Sequence, residues 1–182
     1  MQDFAHWSLD AIREEGASLS WLEELRFEWA IPTSACLHEI LQGKTVILIT
    51  DGKREWFEKY ILSSINSQTP QRPFVPIMKI EGIYPYYDAL SGGETIAMLE
   101  DMISMAFGDN FIYWYIGRGE DKRADIAKRR DDSYFWIFDE DYQNSFKLNS
   151  YDSHLDIKLL QLYHLFNQSL SAAMFGEVDV SS

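Results

Sequence analysis

Hydrophobic positions divide the chain into three stretches of different period. Over residues 1–43 they recur at helical spacing. Phe4, Trp7 and Ala11 form one stripe with Leu9 and Ile12 beside it; Leu22, Leu25 and Trp29 form a second, after Gly16 and Ser18. Pro32 predicts a kink or a restart in that second helix, and residues 34–41 continue it to a stop at Gly43. The pattern changes over residues 44–150. Residues 45–50 (TVILIT) are an apolar, β-branched run without alternation, which suits a strand covered on both faces. Residues 53–66 return to helical spacing through Trp56, Phe57, Tyr60, Ile61 and Ile65. Strands are then expected at 74–80, 111–116, 133–138 and, shorter, 146–148. Helices are expected at 94–107, with Ile96, Leu99, Ile103 and Phe107 in register, and at 120–130. The last stretch, 151–176, is one long helix with Ser153 and Asp156 as a variant capping box and Gly176 as its stop.

Strands alternating with helices require crossover connections, hence a mostly parallel sheet. The expected architecture is a single α/β domain over residues 1–182: a doubly wound sheet flanked by helices, with a helical N-terminal extension. In such sheets ligands bind beyond the carboxyl ends of the strands. That places the loops to inspect at 50–54, 82–93, 117–122 and 139–143.

The last helix is apolar over more than one stripe. Leu155, Leu159, Leu162, Phe166, Leu170 and Ala173 recur at spacings of 4, 3, 4, 4 and 3, while Ile157, Leu160, Tyr163 and Leu165 lie off that seam. A second stripe needs a second cover, either the chain's own N-terminal helices or another subunit. Leu155, Leu159, Leu162, Phe166 and Leu170 are therefore candidate subunit contacts, with burial in the chain's own core as the alternative.

Composition narrows the function classes. The chain has 182 residues and is 46% hydrophobic, which excludes a disordered chain. Aromatics reach 15%, more than a core of this size usually needs. Sixteen Lys and Arg against 29 Asp and Glu give a net charge of −13, which opposes binding to a phosphate backbone. The basic run Lys122, Arg123, Lys128, Arg129 and Arg130 is interrupted by Asp125 and followed by Asp131 and Asp132, as on a surface helix with compensating pairs. Cys36 is the lone cysteine, so no intramolecular disulfide and no multi-cysteine metal site forms. The first ten residues have neither the basic nor the apolar region of an export signal, and no window approaches the roughly 18 apolar residues of a membrane span. A cytoplasmic protein without direct nucleic-acid or membrane binding is expected.

Motifs for chemistry are incomplete. Gly43, Lys44 and Thr45 resemble the end of a phosphate loop but precede the first strand instead of following it. Gly117 and Gly119 follow a strand, but Lys122 stands where a dinucleotide turn needs its third glycine. The stretch around Ser91 lacks the first glycine of a nucleophile elbow. His6, His38, His154 and His164 have no metal-ligand spacing. No catalytic residue, cofactor or metal is assigned.

Longer stretches carry a resemblance. Residues 54–63 (REWFEKYILS), Arg72 with Pro73, Trp114 with Gly117, 133–138 (SYFWIF) and 152–166 (DSHLDIKLLQLYHLF) resemble, in the same order, stretches of the HobA family of replication-initiation regulators. The resemblance implies a sugar isomerase domain-like fold. It also implies a non-enzymatic homotetramer that binds the N-terminal domain of the initiator DnaA and promotes its assembly at the chromosomal origin. The alternative is a sugar-phosphate-binding protein or isomerase of the same fold, using Asp51, Lys53, Arg118 and Glu140. The acid at Asp51, where a phosphate would approach, departs from that pattern. For the partner face the N-terminal helices are favoured, through Phe4, Trp7, Glu14, Glu15 and Trp21, with Arg54 and Trp56 after the first strand; core or subunit packing is the alternative for these aromatics.

Overall fold

A computed structural model describes residues 2–67, 72–90 and 92–181. A short strand β1 (Gln2–Asp3) leads into helix α1 (Phe4–Glu14), capped by the Asp3 carboxylate, which accepts from the His6 backbone N–H. Two single turns then bring the chain to α2 (Arg26–Leu41). This helix runs through Pro32 without a restart: Trp29, Thr33, Leu37 and Ile40 are buried along it, and that packing outweighs the missing N–H. Gly43, at φ 89°, provides the expected stop.

The main sheet is built from β2 (Thr45–Thr50), β3 (Ile77–Lys79), β4 (Phe111–Arg118), β5 (Tyr134–Phe138) and β6 (Ser145–Leu148). All neighbours pair in parallel, in the order β3-β2-β4-β5-β6. The crossovers carry α3 (Glu55–Ser64), α4 (Gly93–Phe107) and the short α5 (Ala124–Ala127), and α6 (Leu155–Met174) closes the fold. A seventh strand, β7 (Val178–Asp179), pairs with β1, so the two ends of the chain meet; the sequence pattern does not predict this ribbon.

Two expected elements are shorter than their pattern, and one expected cap is replaced. β3 spans three residues of the expected seven because Pro73 and Pro76 have no N–H to give a ladder, and Pro76 contributes only its carbonyl, to Val46. The helix expected at 120–130 shrinks to four residues: Asp121 accepts from the Arg123 N–H and holds a turn where the first helical turn would lie. The capping box before α6 does not form, since Ser153 Oγ pairs with His154 and Asp152 accepts the His154 N–H. The loop expected at 66–73 is described only in part, and Ser91 lies outside the described residues.

The central strands β2, β4 and β5 are apolar on both faces, and each face of the sheet has its own core. Leu48, Trp114, Tyr134, Trp136 and Phe146 face α1, α2, α3 and α6. Ile47, Ile49, Tyr113, Tyr115, Phe135 and Ile137 face α4 and α5. Phe166 of α6 is the centre of the first layer, its ring 4.6 Å from that of Trp114 and 6.1 Å from that of Tyr134.

This layer corrects the assignment of the α6 seam. Leu155 is 5% exposed, and Leu159, Leu162, Phe166 and Leu170 are fully buried within one chain. They are core residues and not subunit contacts. The cover is the chain's own: α1 and α2 pack on α6, and Trp21 donates its indole N–H to Gln161 at 3.0 Å. What α6 leaves outside is Ile157 and Leu160. Replacing Leu162 by alanine should therefore lower unfolding free energy by about 2–5 kcal/mol, read as a denaturant midpoint shift that is independent of protein concentration.

Candidate docking groove and strand-end crevice

The N-terminal helix presents its aromatic residues unequally. Phe4 is buried, its ring stacked between Trp7 at 6.0 Å and Trp29 at 5.9 Å. It supports Trp7 from beneath and cannot itself meet a partner. Trp21 is half-buried, bonded to Gln161 and covered by the Lys158 ammonium at 4.6 Å from its ring centroid. Arg54 is buried against Asp51. Phe4 and Arg54 thus leave the expected partner face, while Trp21 stays partly exposed. Trp7, Glu14 and Glu15 remain on it, and Trp56 is exposed on α3, away from them.

Trp7, Glu14 and Glu15 come together in a groove of about 610 Å³ between α1 and the end of α6. Trp7 and Ala11 line it from α1, and Ala172 and Phe175 from the end of α6. Asp10, Glu14, Glu15 and Glu177 line it too, and no Lys or Arg does. Glu15 is held by Gln168, whose side-chain N–H donates to it at 3.2 Å, and Asp10 is held by Gln2 at 2.9 Å. The β1–β7 ribbon fixes both ends of the chain beside this groove. Four apolar residues set among carboxylates and the polar side chains of Gln2, Asn167, Gln168 and Ser171 suit an apolar ridge flanked by basic side chains. Sequence reading named Trp7, Glu14 and Glu15 but missed Asp10 and Glu177. Asp10 was within reach, three residues from Trp7 and four from Glu14 on one helical face. Glu177 had no such signal, because only the fold brings the chain end back to α1.

A second concavity, about 460 Å³, lies at the carboxyl ends of β2 and β4 and is lined by Asp51, Gly52, Lys53, Arg118, Glu120 and Asp121. The strand order reverses at this place, where open parallel sheets bind ligands. Here the anion position is already taken. The Asp51 carboxylate accepts the backbone N–H of Lys53 at 3.1 Å and of Arg118 at 3.0 Å, and pairs with the Arg54 guanidinium at 3.2 Å. Gly117 permits this: a Cβ there would lie 2.8 Å from Asp51. The donors that a sugar phosphate would need are spent on an internal carboxylate. Glu140, the fourth residue of that reading, pairs with Lys128 at 3.0 Å. The rest of the basic run is also engaged within the chain, with Arg123 on Asp88 and Glu55, Arg129 on Glu100, and Arg130 on Asp132.

Beside the crevice, Glu58 of α3 is buried and receives the Thr50 hydroxyl at 3.4 Å. Burial, with Glu81 close by and Lys79 opposing it, pushes its pKa up to about 7. No grouping of three or more His, Cys, Asp or Glu side chains able to hold a metal occurs among the described residues. Among them, too, no helix is long and apolar enough to cross a membrane.

Comparison with known proteins places this geometry. The family model described as "HobA: DNA replication regulator" matches residues 1–180. The DNA replication regulator protein HobA of Helicobacter pylori is 28% identical over 186 aligned positions, covering 98% of this chain and 99% of that protein. The crystal structure of HobA from H. pylori superimposes with a TM-score of 0.75 at 27% identity, covering 98% of each chain. The crystal structure of a complex of HobA with DnaA domain I–II, also from H. pylori, matches with a TM-score of 0.73 at 27% identity over 98% of this chain and 99% of that one.

The raised pKa of Glu58 sets the sign of its effect on stability. The stability carried by its neutral form is complete below the ordinary carboxylate range and is lost as pH rises through about 7. Glu58→Gln should be more stable than the parent at pH 8, by about 2 kcal/mol, with the difference vanishing below about pH 4. Thermal unfolding across that range measures both.

Proposed function

Because the chain belongs to the HobA family of DNA replication regulators, we propose that it binds the N-terminal region of the replication initiator DnaA through the α1–α6 groove. It acts in the cytoplasm as a non-enzymatic homotetramer that gathers several initiators at the chromosomal origin. The groove carries this reading: Trp7 and Phe175 offer apolar area, and four carboxylates offer charge to a basic partner surface. The complex of HobA with DnaA domain I–II in H. pylori supports the choice of partner. Repetition of one modest groove over a symmetric assembly raises effective concentration and needs no chemistry. The self-occupied crevice at Asp51 agrees with a scaffold and argues against a phosphosugar enzyme.

With the α6 seam in the core, self-association uses other surfaces. Exposed Trp56 and Tyr60 on α3, and Ile157 and Leu160 on the neighbouring α6, replace it. The two helices pack directly, with the Tyr60 and Tyr163 rings 5.6 Å apart. Charges around this surface are mixed, with Lys59 on one helix and Asp156 on the other, as suits a self-complementary contact.

Titration calorimetry with DnaA domain I–II tests the groove. Trp7→Ala should weaken binding at least about tenfold, and Glu14→Lys with Glu15→Lys should weaken it further at low salt, both leaving the oligomer intact. Unchanged affinity in both variants would move the site off α1. Light scattering should show a tetramer that Trp56→Glu with Leu160→Glu dissociates while helical content stays; a tetramer that survives this pair assigns the subunit contact to another face.

A further inference from the structure

Helix α4 is apolar on two sides. Its inner side, through Ile96, Leu99 and Ile103, fills the second core against Ile49, Tyr113 and Tyr115. Its outer side carries Met98, Met102 and Met105 at helical spacing, and they are 64%, 42% and 89% exposed. These three methionines on one stripe stay exposed, and none of them belongs to either core among the described residues. The neighbouring helix α5 has only four residues, so the flank of α4 stays open.

The charge beside the stripe has one sign. Residues 93–107 hold Glu94, Glu100 and Asp101 and no Lys or Arg, and Asp109 follows. Arg129 pairs with Glu100 at 3.5 Å. Glu94 and Asp101, both exposed, have no hydrogen bond or ion pair with any described residue. On the helical projection these two lie together along one edge of the methionine stripe. A second copy of this chain would set acid against acid here, unlike the mixed-charge α3–α6 surface.

We propose that the outer face of α4 docks a basic amphipathic helix of a partner protein, on the side of the sheet opposite the α1–α6 groove. The apolar ridge of such a helix lies on Met98, Met102 and Met105, whose unbranched side chains adapt to its contour. Its Lys or Arg side chains meet Glu94 and Asp101. The two docking faces stand in different layers, one built on the α1–α6 core and one on the α4 core. The protein is then an adaptor that holds two different partners at once.

The test uses the full chain with isotope-labelled methionine methyl groups, each assigned through a single Met→Leu variant. The probe is an amphipathic leucine–lysine helical peptide, with its leucine–glutamate counterpart as control. Trp7→Ala serves as the background, so that binding at the groove is reduced. The Met98, Met102 and Met105 methyl signals should shift together and saturate with one affinity for the lysine peptide, and should not respond to the glutamate peptide. Glu94→Gln with Asp101→Asn should weaken that affinity about threefold or more. The proposal is overturned by a shift confined to Met174, by equal response to both peptides, by an affinity insensitive to the two carboxylates, or by methyl shifts that follow protein concentration without peptide.

Discussion

The packing of Phe166 onto Trp114, Tyr134 and Trp136 is the contact on which the rest of the molecule depends. It commits the apolar seam of α6 to the sheet. Once α6 lies there, its remaining faces are shared between α1, α2 and α3, and the chain ends are drawn together beside it. The aromatic surplus has the same origin. Large rings on β4 and β5 fill a layer that four helices must span, and ring pairs in near-perpendicular or stacked arrangements add to their area burial.

This commitment determines what the surface offers. The seam of α6 that is spent on the core cannot also join subunits, which leaves the residues at its margins as the surfaces proposed for recognition. At one end of α6 the margin is the acidic groove with Trp7. Along its outer side it is the patch continued by α3. Across the sheet, α4 repeats the logic: its inner stripe is buried and its outer stripe is not. The molecule is an inner scaffold of aliphatic and aromatic layers with distinct apolar faces outside, and the acids near the groove and α4 separate basic partners from copies of the chain itself.

The strand ends show the same economy of polar groups. In many open parallel sheets the switch point is left for a ligand. Here Asp51 occupies it, with two backbone N–H groups, one arginine and a glycine that makes room. A buried carboxylate so satisfied rigidifies the junction of β2 and β4. Glu58 nearby has no such set of donors, which is why its neutral form is favoured.

Much of this fold was legible in the residues alone. Unalternated apolar runs marked β2, β4 and β5, helical periods marked α1, α3, α4 and α6, and Gly43 and Gly176 marked helix ends, because these features depend on contacts within a few residues. The alternation of strands and helices then required a parallel sheet. Tertiary structure decided the uses of each face. Periodicity shows that a side of a helix is apolar but not what covers it, and the covers come from residues far away in sequence: Trp21 on Gln161, α1 on α6, β7 on β1. For that reason the α6 seam, which could be read as interface or core, lies in the core, Phe4 lies beneath Trp7 as its support, and Glu177 joins the groove without any local sign.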